Sequence, residues 1–175
     1  NKWSEELKNC FYNGEKIFYA RDRSKNKKSI LFINEAIPEY DRNAGDLTIF
    51  TCLMKLSEKF NVKFVVNNGL VKQPCLYHLQ KAGIEVIFGW QEFLNFINSY
   101  SVYIDYVFLS RPESLNYLKY LKERVKAKFY YYGHDLHSLR FMREYELTGL
   151  KGALITSNYL KNIEMEIFRS VDVCF

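Results

Sequence analysis

Three observations in the sequence predict an α/β domain in which a Rossmann-like, doubly wound parallel sheet lies between two helical layers. Short runs rich in β-branched and aromatic residues alternate along the chain with segments of helical spacing. These runs are apolar throughout rather than at every second residue, as in strands covered on both faces. Gly, Pro and polar clusters punctuate the alternation. A repeated strand–helix pattern builds a parallel sheet, and right-handed crossovers wind it on both sides.

Each element follows from this pattern. Residues Ile30–Ile33 form the first apolar run, and Pro38 stops it from continuing as a paired strand. Leu47, Phe50, Met54 and Leu56 repeat with helical spacing up to Phe60, followed by a strand over Val62–Val66. A helix is expected over Lys72–Ala82, with Gly83 just past its end where φ can be positive. Strand Ile84–Phe88, helix Trp90–Asn98 and strand Tyr103–Leu109 come next. Pro112 suits a helix start, because its missing N–H costs nothing there, and Leu115, Leu118 and Leu121 continue that helix. The last elements are strand Ala127–Tyr132, helices Leu136–Leu147 and Asn158–Ser170, and a sixth strand beginning in Val171–Phe175.

The chain has 175 residues, 48% of them hydrophobic, enough for one domain with a buried core. That domain is expected over residues 29–175. Residues 1–28 read as a basic lead-in or linker, with Trp3, Leu7, Cys10 and Phe11 on one face of a short helix. The net charge of +5 is concentrated locally, since Arg21, Arg23, Lys25, Lys27 and Lys28 lie close together. The cluster reads as a solvated linker. Nucleic acid is not an expected partner, whereas contact with an acidic membrane surface stays open. The four cysteines, Cys10, Cys52, Cys75 and Cys174, form no CxxC pair. Cys52 and Cys174 read as small core residues, and a reducing cytoplasm is the expected compartment. No segment has the composition of a membrane span or a signal peptide. A start at Asn1 and an apolar end at Val171–Phe175 lead us to expect a piece of a longer protein.

Ligands of such sheets bind outside the carboxyl ends of the strands. Three loops there carry chemistry. The first, Asn34–Asp46, is long and polar, and Gly45 stands at a helix start. Its backbone amides, with that of Ala44, could approach a phosphate; equally, Gly45 could simply permit the turn while Asp46 caps the helix. Ser110-Arg111-Pro112-Glu113 offers a guanidinium for an anion, or else a salt bridge between Arg111 and Glu113 or a carboxylate of a neighbouring loop. Gly133-His134-Asp135-Leu136-His137 holds two of the three histidines. His134 could contact a polar ligand, and Asp135 could orient an imidazole or start a helix. His134 and His137 lack a third ligand at a familiar metal spacing, so no metal is expected. His78 reads as a packing residue. Glu164 and Glu166 read as a solvated helix face, with Glu166 paired to Arg169. GxGxxG, GxxxxGK[ST] and GxSxG are all absent, which removes the usual signals for dinucleotide binding, P-loop hydrolysis and serine hydrolysis.

Taken in order, ILFINEAIPEYDRNAGDLTIF, NVKFVV, KAGIEVIFG, YVFLSRPES, KFYYYGHDLHSLR and IEMEIFRSVDV resemble the N-terminal domain of group 1 glycosyltransferases of the GT-B fold, notably bacterial ones of surface-polysaccharide assembly. The more specific parts are P-x-x-D-x-x-x-G, S-R-P-E and D-L-H-x-L-R. The resemblance implies transfer of a sugar from a nucleotide-sugar donor to a glycan or lipid-linked acceptor, with no cofactor and no metal. It places Gly45 and Ala44 at the donor phosphates and His134, with Asp135, at the donor sugar. Asp41, Arg42, Arg111, Glu113 and His137 become acceptor-side candidates. It further implies a nucleotide-holding C-terminal domain absent from this chain, so that the chain alone is expected to be inactive, and a cytoplasmic site of action that includes the inner face of the membrane. The alternative is a non-catalytic Rossmann-like module that binds a sugar or a phosphorylated ligand.

Overall fold

All six residues of β1 (Ser29–Asn34) and all six of β2 (Asn61–Val66) are buried, which marks both as central strands. The computed structural model describes Phe18 and residues 27–175. The expected helix face of Trp3, Leu7, Cys10 and Phe11, and the cations Arg21, Arg23 and Lys25, lie outside the described residues. With β3 (Glu85–Phe88), β4 (Tyr106–Ser110), β5 (Lys128–Tyr132) and β6 (Val173–Cys174), the strands form one parallel sheet in the order β3-β2-β1-β4-β5-β6. The expected doubly wound α/β fold is therefore present.

Alternation along the strands feeds two cores. On one face Ile30, Phe32, Phe64 and Val66 pack with α1 (Ala44–Lys59) and α2 (Cys75–Lys81). On the other, Leu31, Ile33, Val107 and Leu109 pack with α3 (Gly89–Tyr100), α4 (Leu115–Lys122) and the end of α6 (Lys151–Ser170). Phe18 joins this second core and stacks on Tyr103 at 4.9 Å, so the packing extends upstream of residue 29. Lys63 points the same way from β2. Its buried ammonium pairs with Glu85 at 3.1 Å and sits 4.9 Å from the Phe18 ring centroid. The end of the basic cluster is docked as well: Lys27 donates to the Ser57 and Glu58 carbonyls at the end of α1, and Lys28 to Tyr106.

Several boundaries differ from the sequence reading. α1 starts at Ala44, three residues before Leu47, because Asn43 caps it. β4 starts at Tyr106, after a 3-10 turn at Ser101–Tyr103, where the Asp105 carboxylate accepts the Ser29 N–H. α6 begins at Lys151, not Asn158. Gly83, at φ +82°, does end the turn after α2. Cys174 is exposed on the edge strand rather than in the core, and Cys52 is only half-buried.

The largest departure concerns α5 (His137–Thr148) and α6. α5 adds no residue to either core and packs on α6. α6 ends beside the start of β5, where Asp172 accepts the Phe129 N–H. Higher up, Glu164 meets Ser138 near the carboxyl end of β5. The residues of α6 that precede Ile163 join neither core. The two helices form an antiparallel hairpin that reverses at Gly149, φ +69°.

A buried polar knot ties its root. Glu164, only 3% exposed, accepts the Ser138 hydroxyl at 2.5 Å and the Ser138 N–H at 3.4 Å, and Ser157 donates to the Ser138 carbonyl at 2.8 Å. Leu136 at the N-cap of α5 has no side chain that can cap, so Glu164 supplies the carboxylate from the partner helix. This corrects the reading of Glu164 as a solvated face. Glu166 is also repartnered, to Lys119 at 2.9 Å instead of Arg169. Glu164→Ala should lower the unfolding free energy by about 2–4 kcal/mol, and Glu164→Gln by less, as read from urea midpoints.

Candidate functional site

The strand order reverses between β1 and β4, and the crevice beyond their carboxyl ends is where open α/β sheets hold ligands. Three predicted residues meet beside it. Asn43, at φ −155°, caps α1 by accepting the Asp46 N–H at 2.8 Å, and its own side-chain amide donates to Asp46 at 3.0 Å. The cap is thus Asn43, with Asp46 in the first turn, and not Asp46 as the sequence suggested. Among the described residues the amides of Ala44 and Gly45, in the first turn, have no hydrogen-bond acceptor.

Arg111 reaches the same turn from the β4 loop, its Nη2 donating to Asp46 Oδ1 at 3.2 Å. The sequence reading left its partner open; the structure selects the neighbouring loop over Glu113. Arg111 has φ +69° and ψ 157°, a conformation that costs a non-glycine residue about 1–3 kcal/mol. Its neighbours hold it there: its N–H donates to the Tyr132 carbonyl, and its carbonyl accepts from both the N–H and the hydroxyl of Ser114.

His134 is the only other non-glycine residue with positive φ among the described residues, at +62°. Its Nε2 lies 3.2 Å from Ser110 Oγ, and its ring stands edge-on to Tyr132 at 4.6 Å. Its Nδ1 side faces α1. A Cβ added to Gly45 would lie 3.6 Å from Nδ1 and 3.3 Å from Asn43 Oδ1. Glycine therefore keeps a gap about one methyl group wide between the helix start and the imidazole. Burial, then the neighbouring Arg111 and His137, lower the His134 pKa from its ordinary 6.5, so the ring is neutral at pH 7.

The other predicted residues fall outside this cluster. Asp135 pairs with His137 Nε2 at 3.2 Å and with Arg140 at 3.5 Å, so the imidazole it orients is that of His137. It does not cap α5. His134 precedes α5 and shares no helical face with His137, and among the described residues no group of three His, Cys, Asp or Glu is placed to hold a metal. Glu113 is exposed beside a small notch bordered by Asn34, Asn67 and Ser110. Arg42 pairs with Glu39 at 3.2 Å, and Asp41 is exposed in the same turn. His78 packs against Tyr40.

Two participants were missed, Ser110 as the partner of His134 and Asp46 as the partner of Arg111. Ser110 could have been singled out as the polar residue that ends an apolar strand; nothing local marks the Arg111–Asp46 pair, which spans 65 residues. Buried polar atoms with no partner among the described residues also lie at this edge: Asn34 Oδ1, Arg111 Nε and Tyr131 OH. Burial pushes the Tyr131 phenol well up, with Glu164 and Glu113 adding to the shift.

Gly45→Ala fills the gap at little cost to the fold, because helix propensity offsets the crowding of Asn43. Its Tm should stay within a few degrees of the parent while ligand affinity at the site falls about tenfold or more, measured by titration calorimetry. The lowered His134 pKa also has a sign. The unfolded chain takes up this proton more readily, so the contribution of His134 to stability is full above pH 6.5 and declines as pH falls through the interval down to the folded value. His134→Gln should flatten that part of the stability–pH curve. No protein-family model, curated protein or solved structure matches this chain, and its function is read from the site itself.

Proposed function

We propose that this domain belongs to a glycosyltransferase that moves a sugar from a nucleotide-sugar donor to a glycan or lipid-linked acceptor. The observation that carries the reading is the convergence of Gly45, Arg111 and His134 beside the point where the strand order reverses. The site combines amides at a helix start, a guanidinium and a neutral imidazole across a narrow gap. Such a set suits the negative charge that develops on a leaving diphosphate, with a polar contact to the sugar next to it. Fold alone does not select a chemistry, so the weight rests on these side chains and on the ordered resemblance in sequence.

In this reading the amides of Ala44 and Gly45 approach the donor phosphates, and Arg111 joins them because Asp46 ties it to the same turn. His134 addresses the donor sugar. Asp135 acts at one remove, by holding His137. Glu113, Asp41, Arg42 and His137 remain the acceptor-side candidates. A second domain supplies the grip on the nucleotide, and the work is done in the cytoplasm, the inner face of the membrane included. Among the described residues no helix is long and apolar enough to cross a bilayer.

The test is a transfer assay on the polypeptide that carries this domain, with a panel of nucleotide sugars and lipid-linked or oligosaccharide acceptors. His134→Ala and Arg111→Ala should each lower kcat/KM by about a hundredfold or more in protein that is still folded by its backbone amide spectrum, the size of effect seen when one donor to a developing charge is removed. Saturable donor binding with no turnover on any acceptor would favour the non-catalytic binding module.

A further inference from the structure

We propose that Ser110 is a positioning residue: its hydroxyl donates to Nε2 of His134 and thereby holds the imidazole in the form whose hydrogen is on Nδ1, facing the gap beside Gly45. A neutral imidazole carries one hydrogen, and the bond made by one nitrogen decides the state of the other. Ser110 is 1% exposed, and among the described residues His134 Nε2, at 3.2 Å, is the one partner of its Oγ. Were the hydrogen on Nε2, the ring would donate to Oγ. The hydroxyl hydrogen of Ser110 would then be buried with no acceptor, and the group would bear its desolvation unrelieved. Donation from Ser110 to Nε2 satisfies both groups and leaves the single ring hydrogen on Nδ1.

The rest of the site keeps the ring in that orientation. Tyr132 abuts its edge, the backbone of His134 is held at φ +62°, and Gly45 leaves open the space that a Cβ would fill 3.6 Å from Nδ1. Burial and the Arg111 charge keep the ring neutral at pH 7, so the second hydrogen is absent. The Nδ1–H of His134, the amides of Ala44 and Gly45 and the Arg111 guanidinium are then donors on the same side of the molecule as the gap, where Asn43 Oδ1, already accepting the Asp46 N–H, is an acceptor beside Gly45. A group seated against the donors presents acceptor oxygens to them. His134 polarises such an oxygen and does not remove a proton from it. What fills the gap rests on the proposed sugar transfer; the place of the hydrogen is a property of this chain alone.

Long-range ¹H–¹⁵N correlation on the uniformly labelled chain at pH 7.5, without ligand, reads the hydrogen directly. The parent should show a pyrrole-type Nδ1 and a pyridine-type Nε2 at His134. Ser110→Ala should return the ring to the Nε2–H form that a free imidazole prefers, and Ser110→Thr, which keeps the hydroxyl, should restore Nδ1–H. Backbone amide spectra report whether each variant is folded, and the parent spectrum decides by itself if Ser110→Ala is not. An Nε2–H form in the parent, or an Nδ1–H form that persists in folded Ser110→Ala, overturns the proposal. Neither outcome depends on whether sugar transfer is detected.

Discussion

Everything in this domain depends on covering β1 and β2 on both faces at once. Two adjacent strands of six residues each, with no exposed side chain in either, leave no alternative to helices on either side. Right-handed crossovers put α1 and α2 on one face, and the return past β1 to β4 puts α3 and α4 on the other. That return creates the reversal in strand order. It leaves the carboxyl ends of β1 and β4 side by side, with chains departing in opposite directions. Asn34 and Ser110, each buried at such an end, are where apolar strands give way to polar chemistry. Even Lys63 obeys the constraint, since its charge is accommodated inside by Glu85 and the Phe18 ring.

The site beside this reversal concentrates unfavourable local choices. Arg111 and His134 both adopt backbone conformations that side chains resist, and a glycine occupies the first turn of α1, where it weakens the helix. Strand register and fixed hydrogen bonds from Ser114 and Tyr132 hold these choices in place. The result is an arrangement in which two side chains from adjacent strands lean over the start of a helix from a third. Defined placement of this sort is what orienting a ligand requires.

Much of this was legible in the sequence because strand positions carry their environment in their composition. ILFI and VKFVV read as doubly covered strands, and Gly83 as a left-handed turn, since each signal is local. Gly45, Arg111 and His134 were found by asking which residues follow strand ends. What escaped depends on distance in the chain. Nothing near Glu164 reveals that it caps α5, and its EME setting looks like any charged helix face. Asp46 looked like a cap until Asn43 was seen to fill that role, which freed its carboxylate for Arg111. Asp135 stands next to His134 in sequence yet serves His137, because the chain turns between them.

The α5–α6 hairpin divides the molecule into regions with different freedom to change. Its tip, with Leu147 and Leu150 largely exposed, touches neither core, so substitutions there leave the sheet intact. Its root cannot vary in that way, because Ser138, Ser157 and Glu164 satisfy one another in a buried space. Selection can therefore remodel the arm, in length or in surface character, without reopening the packing that holds His134. An arm anchored only at its base is a natural place for related chains to diverge in what they touch while keeping the same chemistry beneath.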